Sequence, residues 1–319
     1  MLRIVFMGTP DFAVESLDAI VQSTHQVVGV VTVPDRQTGR GLKVTYSAVK
    51  EYALSHQLPL LQPEKLRDDQ FLADLRALEA DLFVVVAFRM LPQVVWSMPR
   101  LGTFNLHASL LPNYRGAAPI NWAIINGEHE TGVTTFLLNE RIDEGKILLQ
   151  ESTPITPDDT CETLHDRLAK MGRSLVVQTI DGLASGTLHG KPQPAEGLLC
   201  PAPKIFKADC AIPWQQSGQR IVDFVRGLSP YPASTMQMID NKGTTQSLKV
   251  YHVSFLPDKS PESEKIPIGS VISDQKRELK IKVIDGFVLI LSLQMNGKRK
   301  NNIDEFLRGY NVSCWKLVI

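Results

Sequence analysis

The sequence predicts an α/β domain followed by a smaller, mostly β domain, and three observations carry that expectation. Apolar strand runs alternate with helical patterns through the first half of the chain, the arrangement that builds a largely parallel sheet with helices on its faces. Beyond the Gly- and Pro-marked stretch LASGTLHGKPQPAEG, short alternating runs replace that order. At 319 residues the chain also exceeds the usual size of one domain. The expected division is residues 1–189, a linker over 190–207, and residues 208–319.

Each element follows from its residues. LRIVFMG reads as an apolar strand, and Pro10 suits the first turn of the helix TPDFAVESLDAIVQS. VVGVVT is the next strand, followed by the helical SAVKEYALSHQ, a short PLLQP and a helix near Asp69 to Leu78. DLFVVVAF has the unbroken apolar run of a strand buried on both faces. TFNLHAS is a short strand broken by Pro112, Gly116 and Pro119; PINWAIING is a helix and TGVTTFLLN a strand. After KILLQESTPI, Asp159 with Glu162 has the spacing of a capping box and predicts the start of a long helix. In the second domain QRIVDFVRGL reads as a helix, and alternation around Met236, Val250, Val271, Ile281 and Leu289 predicts strands.

Composition narrows the class. The apolar fraction is 43% without a run of about 20 apolar residues, and MLRIVFMGTP lacks a secretory core and cleavage site, so a soluble cytoplasmic enzyme with no membrane partner is expected. Cys161, Cys200, Cys210 and Cys314 have no C-x-x-C spacing, which points to free thiols and no metal site. The opening strand carries only Gly8 where a dinucleotide fingerprint needs three glycines, which disfavours a nicotinamide or flavin cofactor. Basic and acidic residues balance at 34 each, so composition does not announce a nucleic-acid binder. Basic clusters do recur late: Lys276, Arg277, Lys280 and Lys282 near one hairpin, and Lys298, Arg299 and Lys300 in another turn.

The densest chemistry lies between Asn105 and Gly145. Asn105 and His107 are two apart on a strand and share a face, and Asp143 follows the next strand, so the three are expected at strand ends facing one crevice. Asn105 can donate to a developing oxyanion, protonated His107 can do so or relay a proton, and Asp143 can orient the imidazole. No Ser or Cys need attack, which favours direct acyl transfer between two bound substrates. The residues alone leave a bland reading equally open, in which the histidine packs and Asn and Asp form turns.

This region resembles the signature of the folate-dependent formyltransferases. The matching residues are Asn105, His107, SLLP at Ser109 to Pro112, YRG-x-x-P from Tyr114 to Pro119, TGVT from Thr131, and D-x-G from Asp143 to Gly145. MGTPDFA, PDR-x-x-GRG, APKI and RGLSPYP extend the likeness along nearly the whole chain, in particular to the family members that act on charged initiator tRNA. The resemblance implies a Rossmann-like formyltransferase domain and an OB-like barrel. It also implies transfer of formyl from 10-formyltetrahydrofolate to the amino group of methionyl-initiator tRNA, with no metal and no obligate protein partner. Asn105, His107 and Asp143 take the catalytic positions.

By the same resemblance, Phe88, Arg89, Met90 and Leu91, the loop Ser109, Leu110, Leu111 and Pro112, and Asn139, Ile142 and Asp143 hold the pterin, largely through backbone groups. FRM at Phe88 to Met90 stands where many relatives carry a Tyr-Gly pair. Arg36, Arg40 and Lys43 lie in a Gly-rich loop whose counterpart contacts the tRNA acceptor end. The following LKVTYSAVK departs from the family's more basic pattern. Lys298, Arg299 and Lys300 are the expected tRNA contacts of the second domain. The signature is shared with formyltransferases of amino sugar nucleotides and small ribonucleotide amines, and a tRNA-binding module with an inactive catalytic domain is the reading outside enzymes.

Overall fold

A computed structural model describes residues 1–38, 43–194 and 199–319; Arg40 therefore lies outside the described residues. The chain divides into two compact units. The first comprises Met1–Gly116, Glu130–Pro154 and His165–Pro201, the second Ala117–His129, Ile155–Leu164 and Ala202–Ile319.

The elements follow in chain order. They begin with β1 (Arg3–Gly8), α1 (Asp11–Val21), β2 (Gln26–Val31), β3 (Arg36–Thr38), β4 (Lys43–Thr45), α2 (Ala48–Ser55) and β5 (Leu60–Leu61). Next come α3 (Asp69–Ala77), β6 (Leu82–Val86), α4 (Gln93–Trp96), β7 (Thr103–His107), β8 (Arg115–Gly116), α5 (Pro119–Ile125), β9 (Glu130–Leu137) and β10 (Ile147–Pro154). The long α6 (Cys161–Ser185) and the short β11 (Pro201–Ala202) lead to α7 (Gly218–Gly227), β12 (Ser234–Ile239) and β13 (Thr245–Pro257). The chain ends through α8 (Pro261–Glu264), β14 (Val271–Ser273), β15 (Leu279–Val283), β16 (Gly286–Met295), β17 (Asn301–Asn302), α9 (Ile303–Gly309) and β18 (Lys316–Val318).

In the first unit seven strands pair in the order β10-β9-β7-β6-β1-β2-β5. The stretch from β7 to β5 is parallel, and all five residues of β6 are buried, as its unbroken apolar run requires. Ser47 caps α2 by accepting from the Lys50 amide, a contact worth about 1 kcal/mol. Pro10 sits one residue ahead of its expected place, as the extended N-cap of α1.

Two expectations are corrected. β9 runs antiparallel to β7, so its last residue, Leu137, pairs with Phe104 rather than with the carboxyl end of β7. Asp143 therefore does not stand at the end of a parallel strand. The capping box at α6 is formed one residue later than Asp159 and Glu162: Thr160 Oγ1 accepts from Thr163 N (3.3 Å), while Thr163 Oγ1 accepts from Thr160 N (3.0 Å). Asp159 instead takes the Thr156 amide at 2.7 Å, closing the turn before the helix.

In the second unit the strands order as β14-β15-β16-β13-β12-β18, antiparallel throughout, in a nearly closed, OB-like barrel sheet. Ile221 and Val225 of α7 and Ile303, Phe306 and Leu307 of α9 complete its apolar core. No helix among the described residues is long and apolar enough to cross a membrane.

Candidate active site

Asn105 is in parallel register with Val85, whose side chain belongs to the core with Val5, Met7 and Phe83, so the Asn105 amide rises from that face of the sheet. Neither end of the amide makes a hydrogen bond among the described residues, and Oδ1 is buried without a partner. A buried polar atom left in this state costs about 1–3 kcal/mol.

Two residues on, His107 is buried at 6% exposure, with the Phe136 ring edge-on at 6.5 Å. Its Nε2 lies 2.8 Å from the Tyr114 carbonyl oxygen, which can only accept, so Nε2 carries a hydrogen. Nδ1 is left to exchange a proton, and it faces Asp143 Oδ2 at 4.0 Å. That oxygen also accepts from the Gly116 amide at 3.0 Å. His107 and Asp143 are thus brought together within the first unit, with Asn105 two positions from His107 on the same strand.

Because β9 runs the other way, Asp143 reaches His107 through the β9–β10 connection folded back over the sheet. Gly145 permits the fold, since a Cβ there would fall 1.6 Å from the Leu137 carbonyl oxygen. Asp143 itself has φ +54°, and Ala87 (φ +48°) and Tyr114 (φ +60°) share this uncommon region. The connection is pinned from outside by Gln193 Nε2, which donates to Asp143 O at 2.8 Å and Gly145 O at 2.9 Å. Arg115 holds Gln193 Oε1 and pairs with Glu144 at 3.3 Å. Sequence reasoning missed Gln193, which stands in a polar stretch with no local pattern to single it out.

The loop after β7 is fixed through buried hydroxyls. Ser109 Oγ donates to Asn113 O at 2.7 Å, and Thr134 Oγ1 donates to Ser109 O at 2.6 Å and accepts from Leu111 N at 3.2 Å. Gln150 donates to Leu111 O at 2.9 Å, so both main-chain groups of Leu111 are occupied. Leu110 packs toward Gly132, and Pro112 follows a cis peptide bond. Ser109 and Leu111 therefore act as braces for the loop.

The loop after β6 differs. No main-chain N–H or C=O of Phe88 to Leu91 enters a hydrogen bond among the described residues, which leaves those groups for a ligand. Leu91 is buried in the core and Phe88 packs against it. Arg89 spans to the Pro63 and Glu64 carbonyls, and burial draws its guanidinium below its usual pKa. Met90 and Ile142 are apolar and exposed, at 75% and 60%. Asn139 Oδ1 accepts from Arg141 N at 2.9 Å, a turn contact.

The basic residues separate into two groups. Arg36 is exposed in β3, and Lys43 stands in the paired β4. Lys298, Arg299 and Lys300 are exposed between β16 and β17, with the Lys300 ammonium 4.6 Å from the centre of the Tyr251 ring. Two cations of the other cluster are not solvated ones: Lys282 is buried and donates to Ser263 Oγ at 3.0 Å, and Lys280 pairs with Glu278 at 3.0 Å. The pleat of β15 sends Leu279, Ile281 and Val283 into the core and leaves Lys282 on the opposite face with Lys280, where the Ser263 hydroxyl meets its ammonium, so charge along the sequence misstates the surface. The second unit also holds a cavity of about 460 Å³ lined by Lys204, Lys207, Lys249, Asn121 and the 82%-exposed Tyr231. These lysines are too scattered along the chain to register as a cluster.

A formyl transferase profile matches residues 2–180, and a formyl transferase C-terminal domain profile matches residues 204–311. The chain belongs to the formyltransferase family. Among the relatives of this formyltransferase, the methionyl-tRNA formyltransferase of Parabacteroides distasonis is 55% identical over 314 residues, covering 97% of this chain and 96% of that one. The methionyl-tRNA formyltransferase of Bacteroides fragilis is 53% identical over 315 residues, covering 98% and 96%. Among solved structures, an N-formyltransferase from Helicobacter canadensis complexed with folinic acid and dTDP-3-aminofucose shares the fold. It has a TM-score of 0.63 and 20% identity over 94% of this chain and all of that one. No cluster of three or more His, Cys, Asp or Glu side chains that could hold a metal ion is present among the described residues.

Proposed function

We propose that the chain transfers the formyl group of 10-formyltetrahydrofolate to the α-amino group of methionyl-initiator tRNA, giving N-formylmethionyl-tRNA and tetrahydrofolate for translation initiation. The observation that carries this reading is identity above 50% across both units with relatives named for that activity. The site suits the donor: the Asn105 Nδ2, which enters no hydrogen bond among the described residues, can donate to a formyl oxygen, and the unbonded main chain of Phe88 to Leu91 can meet the edge of a polar heterocycle. Met90 and Ile142 offer apolar walls, with Asn139 and the Ser109 to Pro112 loop at the rim.

The donor, when bound, supplies a formyl carbon open to attack. The neutral methionyl amine attacks that carbon; the new C–N bond forms, the bond to N10 breaks, and one proton passes from the amine to N10. Asn105 donates to the formyl oxygen as it gains charge, an effect worth about 2.7–4 kcal/mol for one oxyanion donor. His107 acts through Nδ1, because Nε2 is committed to Tyr114, and Asp143 orients that nitrogen and stabilises the charged imidazole.

We assign residues 1–189 to catalysis, 190–207 to the linker and 208–319 to tRNA binding, in the cytoplasm where charged initiator tRNA is used. Arg36, Arg40, Lys43, Lys298, Arg299 and Lys300 are the proposed phosphate contacts. Lys204, Lys207 and Lys249, with Tyr231 as a stacking surface, add a groove suited to single-stranded nucleotides. The test is formyl transfer from 10-formyltetrahydrofolate to methionyl-initiator tRNA, an amino sugar nucleotide and glycinamide ribonucleotide in parallel. Turnover of the tRNA alone is expected, and preference for either small amine overturns the reading.

A further inference from the structure

Gln193 lies half-buried in the otherwise exposed segment Lys191 to Pro194, and its amide is fully used. Nε2 donates to the carbonyls on either side of Glu144, those of Asp143 at 2.8 Å and Gly145 at 2.9 Å. Oε1 accepts from Arg115 Nη2 at 2.6 Å and Nε at 3.2 Å. Arg115 adjoins Gly116, whose amide holds Asp143 Oδ2 at 3.0 Å. A closed ring of contacts results: Gln193 fixes the main chain of Asp143, Arg115 fixes Gln193, and the residue after Arg115 fixes the carboxylate. Asp143 sits at φ +54°, a conformation that persists only where surrounding contacts impose it.

We propose that Gln193 is a positioning residue for the formyl-transfer reaction, holding the backbone of Asp143 so that its carboxylate stays against His107 Nδ1. This rests on the reading that Asp143 orients His107. Gln193 touches no reacting atom, and its effect runs wholly through Asp143.

The discriminating substitution is Gln193→Glu, which keeps the size and the acceptor for Arg115 but has no N–H for the two carbonyls. Its turnover should fall roughly 10- to 100-fold, the scale of an ångström's misplacement of a catalytic group. The KM values for methionyl-tRNA and 10-formyltetrahydrofolate should stay within about twofold, since the change acts in the transition state. Gln193→Ala should fall similarly, with thermal unfolding recorded for both to identify loss of folded enzyme. The double variant Gln193→Glu/Asp143→Asn should be no slower than Asp143→Asn alone, because a residue acting through Asp143 has nothing left to position. Normal turnover in Gln193→Glu beside a crippled Asp143→Asn overturns the proposal alone, as do losses that multiply in the double variant. Full turnover in Asp143→Asn overturns the role of Asp143 and the proposal with it.

Discussion

Replacing Asn105 by alanine should lower turnover while leaving the protein as stable as before, or more so, and this pairing separates a catalytic amide from a structural one. In the structure Oδ1 is buried without a partner, so the substitution breaks no hydrogen bond of the amide among the described residues. Removing the side chain deletes an unsatisfied group whose burial costs about 1–3 kcal/mol, against a modest reduction in packing by a partly exposed residue. Loss of one oxyanion donor removes about 2.7–4 kcal/mol of transition-state stabilisation, a 100- to 1000-fold fall in kcat. Steady-state formylation of methionyl-tRNA, with both substrates varied, measures the first effect, and a denaturant titration measures the second. The expected result is a kcat effect with little change in KM and an unfolding midpoint at or above that of the parent. Turnover within about threefold of the parent would refute the oxyanion role. A fall in turnover accompanied by about 2 kcal/mol of destabilisation would refute it too, because the amide would then be holding the strand.

Asp143→Asn should retain the fold, since Asn tolerates the left-handed conformation and can still accept from Gly116, yet lose most activity because only charge is removed; formylation and circular dichroism measured together check this. Neutralising Lys298, Arg299 and Lys300 together should weaken tRNA binding and flatten the plot of log affinity against log salt by about 0.7–0.9 for each phosphate that the protein no longer neutralises. An unchanged slope would place the tRNA elsewhere. Burial pushes the Cys161 thiol up to about 11, so at pH 8 iodoacetamide should label exposed Cys314 and spare Cys161, as peptide mapping would report.

Much of the fold was legible because burial imposes periodicity. The apolar run of β6 and the helix α2 within SAVKEYALSHQ follow from local sequence alone. Strand direction was not legible. From Thr131 to Phe136 β9 is buried throughout, and such a run reads the same whether its neighbour is parallel or antiparallel. The α6 cap slipped by one residue for a similar reason, since Asp159 and Thr160 are both good capping types and only the turn closed by Asp159 separates them. Lys282 shows the same limit at the surface: alternation puts it on the face away from the core, and it is buried there by the segment carrying Ser263, 19 positions earlier, which no pattern within the strand announces.

The site was legible where its geometry is local and opaque where it is not. Asn105 and His107 share a face because a strand has a period of two. That Nε2 of His107 is committed to Tyr114, leaving Nδ1 as the working nitrogen, depends on a loop whose path no periodicity describes. Asp143 needed a connection folded back over the sheet, the room left by Gly145, and Gln193, a residue 50 positions away, to hold it. The cost of this arrangement supports its meaning. Tyr114 and Asp143, which both meet His107, each occupy a conformation disfavoured by on the order of 1 kcal/mol or more, and Asn105, on the same strand as that histidine, keeps a buried atom unpaired. A fold under selection for stability alone would relax these features one substitution at a time. Here the Ser109–Thr134–Gln150 brace and the Arg115–Gln193 clamp work against that relaxation, which is what a site ordered before its substrates arrive requires.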